Sequence, residues 1–133
     1  MAGPHTGKAW IVNKWGEDLA SVYLRHRRGN DPQREEHKSW TSVKSGQSTE
    51  GTAMQFTYET GFGSPFDYWW LKFVVATNNQ VWVTSKTNFS CYVSSDDDGN
   101  VKITLDGAEK EMTVSFSDSS GCRQSLILDD PED

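Results

Sequence analysis

The segment Gly61-Phe62-Gly63-Ser64-Pro65-Phe66-Asp67-Tyr68-Trp69-Trp70-Leu71-Lys72-Phe73 constrains the fold more than any other part of this chain. It places six aromatic rings in thirteen residues, behind a turn of glycine, serine and proline. A strand at the surface of one core needs a single apolar face, because successive side chains point to opposite sides. From Phe66 to Phe73 both faces are apolar for most of the length. Such a strand must lie centrally in a sheet. Its second face is then covered by another part of the fold, or it is a patch of exposed rings that a partner covers.

The remaining sequence is all-β in pattern. No segment carries apolar residues at helical spacing over three turns. Short alternating runs separated by turn clusters recur about every ten residues, as in sandwiches and barrels. The runs are Ala9 to Lys14, Leu19 to His26 (with Ala20, Val22 and Leu24 on one face), Ser39 to Val43, Thr52 to Tyr58, Phe66 to Ala76, Val81 to Ser85, Phe89 to Ser94, Val101 to Leu105, Met112 to Phe116 and Cys122 to Leu128. The expected fold is a two-sheet antiparallel β-sandwich of about eight to ten strands in a single domain, with residues 1–8 and 129–133 flexible. Asn78-Asn79 suits a two-residue hairpin turn, since asparagine tolerates positive φ. That register sets Val75 opposite Trp82 and Phe73 opposite Thr84. Trp69, Leu71, Phe73, Val75 and Trp82 then share the core face, and Phe66, Tyr68, Trp70, Lys72, Val74, Val81 and Val83 share the other.

A length of 133 residues suffices for a core without a metal or a disulfide. The formal net charge of −6 argues against nucleic acid as a partner and against electrostatic adhesion to anionic membranes. No apolar run approaches the ~18 residues of a membrane helix. The first ten residues, MAGPHTGKAW, lack a signal-peptide apolar core, which reads as a cytoplasmic chain; a secreted chain with its signal removed would read the same. Cys91 and Cys122 both fall on core-facing positions, Cys122 in phase with Leu126 and Leu128. In a reducing compartment they are expected as two free, buried thiols.

The run TGFGSPFDYWWLKF (Thr60 to Phe73), followed by KTNFSCYVSSDDDG (Lys86 to Gly99), resembles the PUD family, nematode and fungal proteins up-regulated in long-lived insulin-signalling mutants. Asn88-Phe89-Ser90-Cys91-Tyr92 fits that family's later asparagine-phenylalanine-x-cysteine strand, and the resemblance extends from about Ile11 to Leu128. It implies an aegerolysin-like β-sandwich, no enzyme activity, no cofactor, and association of two sandwich chains. Aegerolysins bind membrane lipids, but a shared fold does not transfer an activity.

No catalytic constellation is visible. Glu35 and Glu36 are adjacent and point apart on a strand, whereas paired glycosidase carboxylates face each other ~5–9.5 Å apart; nothing in the sequence brings Glu17, Glu50, Glu59 and Asp67 together. Asp96-Asp97-Asp98-Gly99-Asn100 fails the spacing of a calcium loop and reads as a polar turn. His5, His26 and His37 lack zinc spacing. The stretch from Arg27 to Lys38 reads as a solvated loop, with a phosphate or headgroup site at Arg25, Arg27 and Arg28 as the sharper alternative. Expected function is therefore a non-catalytic module that pairs with a like chain, as a homodimer or with a paralogue. Its binding residues would be Phe66, Asp67, Tyr68, Trp70 and Lys72; a lipid- or glycan-binding protein is the competing class.

Overall fold

The computed structural model describes residues 5–61, 63–85 and 87–129. Of the segments singled out above, Phe62, Lys86 and the terminal stretches 1–4 and 130–133 lie outside the described residues. The chain is all-β. Its strands are β1 (His5–Lys14), β2 (Leu19–Arg28), β3 (Glu35–Val43), β4 (Met54–Tyr58), β5 (Asp67–Val75), β6 (Val81–Thr84), β7 (Phe89–Ser90), β8 (Asn100–Asp106), β9 (Glu111–Ser115) and β10 (Cys122–Leu128). Hydrogen bonding links them in the order β3-β2-β5-β6-β10-β9-β8-β1-β4, with β7 beside β5. The strand β10 joins the two halves: Cys122 to Ser125 pair with β9, and Leu126 to Leu128 pair with β6.

This one sheet curls until it is nearly a barrel. Its two edge strands, β3 and β4, meet through side chains instead of a ladder. The Thr57 N–H donates to Glu36 Oε2 at 2.9 Å, and the Trp40 indole N–H donates to the Thr52 carbonyl at 2.8 Å. Contacts of this kind cover part of the two edges, which would otherwise invite aggregation. The interior is filled from both halves. Phe56 of β4 meets Trp69 of β5 edge-on at 5.2 Å, and Trp15 meets Phe73 at 4.8 Å. Ile11, Val101, Ile103, Leu105 and Met112 complete one wall, and Leu19, Val22, Leu24, Leu71 and Val75 the other.

Several expectations are corrected. Pairing is not wholly antiparallel: β1 runs parallel to β8 over Lys8–Lys14 and Asn100–Asp106. A parallel pair needs a long connection, and the whole of β2 to β7 supplies it. Gly7 permits close approach there, since a Cβ would lie 2.6 Å from the Gly99 carbonyl oxygen. The strand β1 begins at His5, and residues 5–8 pair with β4 instead of fraying. The β5–β6 loop spans Ala76 to Gln80, with Asn79 at φ 59°, so Trp82 stands opposite Phe73 and not Val75. The displacement is two residues, an even number, so every face assignment in this hairpin survives. In β2 a bulge between Leu19 and Ser21 exposes Ala20 and turns Leu19 inward. Half of the expected charged loop is strand: Arg27 and Arg28 end β2, and Glu35 to Lys38 begin β3.

The cysteines are also corrected. Cys91 and Cys122 are disulfide-bonded, with Cα atoms 6.1 Å apart and a sequence separation of 31. The two sites converge because Cys91 leaves β7 beside the start of β10. Leu128, expected in the core with Cys122, is 46% exposed. A bridge closing a loop of this length contributes about 3–4 kcal/mol in the chain-entropy model. Thiol titration of the denatured, unreduced protein should therefore find no free thiol, and reduction should release both and lower unfolding stability by about that amount. Two thiols titrating without reductant would contradict the bond.

Candidate binding surfaces and the charged core beneath them

The five residues singled out by sequence do not form one site. They separate into three environments. Tyr68, Trp70 and Lys72 alternate along β5 on the outer surface of the sheet, opposite the buried row Trp69, Leu71, Phe73. Cross-strand register sets Arg27, Arg25 and Tyr23 of β2 beside them, and Val81 and Val83 of β6 beside Val74 and Lys72. Ile127 of β10 follows opposite Val83. The result is a half-buried apolar stripe across three strands: Trp70, Val74, Val81, Val83 and Ile127, the last 48% exposed. Tyr23 packs edge-on against Trp70 at 5.7 Å, and the Arg25 guanidinium lies over the Trp70 ring at 4.7 Å. Arg25 also donates to the Thr87 carbonyl and to Asn88 Oδ1, which fixes it over the ring.

The arginines of the former loop do not converge on an anion. Arg25 is held over Trp70, Arg27 bonds Glu35 at 2.9 Å, and Arg28 reaches Glu59 at 3.2 Å. Each positive charge is already paired with a ring or a carboxylate, so the phosphate alternative loses its site. The Asp96–Asn100 stretch is likewise committed internally. Asp97 is buried and accepts the N–H groups of Ser94, Asp118 and Ser119. Burial alone would raise its pKa, but these hydrogen bonds outweigh it and hold the carboxyl well below the usual range. Among the described residues no group of three or more potential ligands could hold a metal.

Phe66 lies at the end of the fold, ahead of β5. It is 51% exposed and stacks on Tyr92, itself 54% exposed, with ring centroids 4.9 Å apart. The pair borders a depression of about 190 Å³.

Asp67 is corrected outright as a surface residue: it is fully buried. Its Oδ1 meets His26 Nε2 at 2.7 Å, and His26 Nδ1 meets Glu36 Oε1 at 2.8 Å. His26 has no exposure and contacts the rings of Phe56 and Trp69. With both carboxylates ionised, both ring nitrogens must carry hydrogens, which makes His26 an imidazolium. Burial opposes that charge, yet the hydrogen bonds and the charges of Asp67 and Glu36 outweigh it, and the His26 pKa is raised. Asp67 Oδ2 also accepts the Val93 N–H, and the Asp67 carbonyl accepts the Cys91 N–H, both at 2.9 Å. The triad was not read from the sequence. The available signal was the symmetry of Arg25-His26-Arg27 and Glu35-Glu36-His37 about the turn at Asn30-Asp31, which sets His26 across from Glu36 and Arg27 across from Glu35.

No protein-family model matches the chain, and no curated protein matches it.

The raised pKa of His26 fixes the sign of a pH effect. A group whose folded pKa lies above its unfolded value contributes stability that is complete below the unfolded pKa, ~6.5, and is lost as pH rises through the folded value. A His26→Gln variant should lose about 3–5 kcal/mol at about pH 6, because the buried Asp67 and the partly exposed Glu36 both lose their cation. The gap to wild type should narrow at about pH 9. Chemical denaturation of both proteins at the two pH values measures it, and a gap that widens with pH would refute a charged His26.

Proposed function

We propose that this chain is a non-catalytic interaction module that pairs with a like chain, identical or paralogous, through the outer face of β2, β5, β6 and β10. The carrying observation is the apolar stripe of Trp70, Val74, Val81, Val83 and Ile127, which crosses β5, β6 and β10 on the outer face of the sheet and leaves Ile127 48% exposed. Monomers seldom leave contiguous apolar patches of this kind in water. A sheet face also suits a two-fold pairing, where one patch meets its own copy. Trp70, fixed by Arg25 and Tyr23, is the natural anchor, since tryptophan and tyrosine dominate interface energetics. Tyr68 and Lys72 border it. Phe66 and Asp67 do not belong to this surface.

The family reading agrees with this proposal. In it, β3-β2-β5-β6 and β9-β8-β1-β4 are the two sheets of an aegerolysin-like sandwich bridged by β10, and the Gly61–Phe73 motif is the PUD-like centre. The Cys91–Cys122 bond supports a chain that works in an oxidising compartment over the cytoplasmic alternative, because such bonds persist there. No helix of the described chain is long and apolar enough to cross a membrane.

Sedimentation equilibrium tests the pairing. Wild type should show a concentration-dependent dimer. Trp70→Ala should weaken it by about 2 kcal/mol or more, as truncated aromatic anchors do. Ile127→Glu, a change at a half-exposed site that leaves the fold intact, should abolish it. A wild type that stays monomeric throughout, or a dimer indifferent to both changes, would refute the proposal.

A further inference from the structure

We infer that the stacked pair Phe66 and Tyr92, with the depression beside it, is a binding site for one neutral sugar ring, separate from the pairing face. Two large rings each half in water are costly for a chain that could bury them, and they are not the residue of poor packing. Both are held in place by the same buried residue. Asp67, the neighbour of Phe66, accepts the backbone N–H of Cys91 and of Val93, the two residues flanking Tyr92. The Phe66 carbonyl accepts the Gly29 N–H at 2.7 Å, and the Cys91–Cys122 bond anchors the residue before Tyr92. The rings lie near parallel, at 16°, so each keeps an outer face and edges free. Rings fixed before binding spare a ligand the cost of ordering them.

The surroundings select the ligand. The depression of about 190 Å³ is smaller than the ~300–1,000 Å³ that enclose drug-sized molecules, so it takes part of a molecule. Glu59, Thr60, Ser64 and Ser94 line the same depression; the Ser64 and Ser94 hydroxyls donate to the Thr60 carbonyl and to Asp97, which leaves their oxygens as acceptors. One oxygen of Glu59 is held by Arg28, which orients the group and leaves acceptor capacity. A pyranose has this same division. Its C–H face is apolar and slightly positive, suited to the negative face of an aromatic ring. Its hydroxyl edge donates to a carboxylate and to hydroxyl oxygens. Anionic ligands, including lipid phosphates, are disfavoured: the lining holds the carboxylate of Glu59 and no lysine or arginine, and Arg28 is spent on that carboxylate. Phe66 and Tyr92 act as the platform, and Asp67 is a positioning residue.

The test uses saturation-transfer NMR and calorimetry on the whole protein. The probes are glucose, galactose, mannose and N-acetylglucosamine, together with their β1,4-linked tetramers where these exist. At least one probe should bind. Phe66→Ala and Tyr92→Ala, both at exposed positions, should each weaken it about tenfold or more, while the sedimentation behaviour of both stays that of wild type. Glu59→Gln should weaken binding with the platform intact. Absence of binding by every probe, or binding unchanged in both platform variants, would overturn the inference. So would a blank sugar panel alongside sedimentation with phosphatidylcholine vesicles that depends on Phe66 and Tyr92, since the site would then serve a lipid surface. A pairing face that fails its own test leaves this result unaffected, because the two surfaces share no residue.

Discussion

The buried imidazolium of His26 is the interaction on which the rest of the molecule depends. It sits between Asp67 of β5 and Glu36 of β3, and each carboxylate spends its second oxygen on a backbone N–H elsewhere: Val93 beyond β7, and Thr57 of β4. One cation therefore reaches five parts of the chain that no single ladder joins. The Glu36 arm is also the bond that brings the two edges of the sheet together. Buried charge pairs are seldom a net gain over an apolar core of the same volume. What this one provides is placement. An apolar substitute could fill the space, but it could not satisfy the N–H groups of Thr57 and Val93, which would then be buried without partners.

The same network links the core to both candidate surfaces. Asp67 faces inward, while its neighbours Phe66 and Tyr68 face the depression and the outer sheet. A strand alternates its faces by construction, so fixing Asp67 fixes where β5 begins and which rings emerge. That accounts for the unusual aromatic density. Trp69 and Phe73 fill the interior, Tyr68 and Trp70 line the outer face, and Phe66 reaches Tyr92 at the end. The rings serve three surfaces, and the sequence packs all of them into one strand because β5 is the central strand that touches all three.

Much of the fold was legible because the signals are local. Period-two alternation placed ten runs, and Cys122–Leu128 was found to the residue. Face assignment within the β5–β6 hairpin held even though the turn was misjudged, since a two-residue error preserves parity. The failures have physical reasons. Charge pairs distant in sequence made Arg27, Arg28 and Glu35 to Glu36 look like a solvated loop, because Arg27 meets Glu35 and His26 meets Glu36 only once the hairpin forms, and Arg28 meets Glu59 only once the sheet curls. The bulge near Ala20 inverts a face without altering composition. The parallel pairing of β1 with β8, and the approach of Cys91 to Cys122, depend on how the sheet curls. That is a property of the whole chain and of no segment.

The candidate site was legible only as an aromatic density, and the division of that density is the step the sequence could not make. Asp67 stands in the middle of the motif and reads as its polar contact, yet it is the residue that never meets solvent. A carboxylate flanked by rings on a strand has two resolutions: on the outer face it binds, and on the inner face it must be neutralised. Parity alone decides between them, and parity here follows from His26. A single histidine in β2, forty-one residues away in sequence, thus determines that Asp67 organises the aromatic surfaces from beneath and is not part of them.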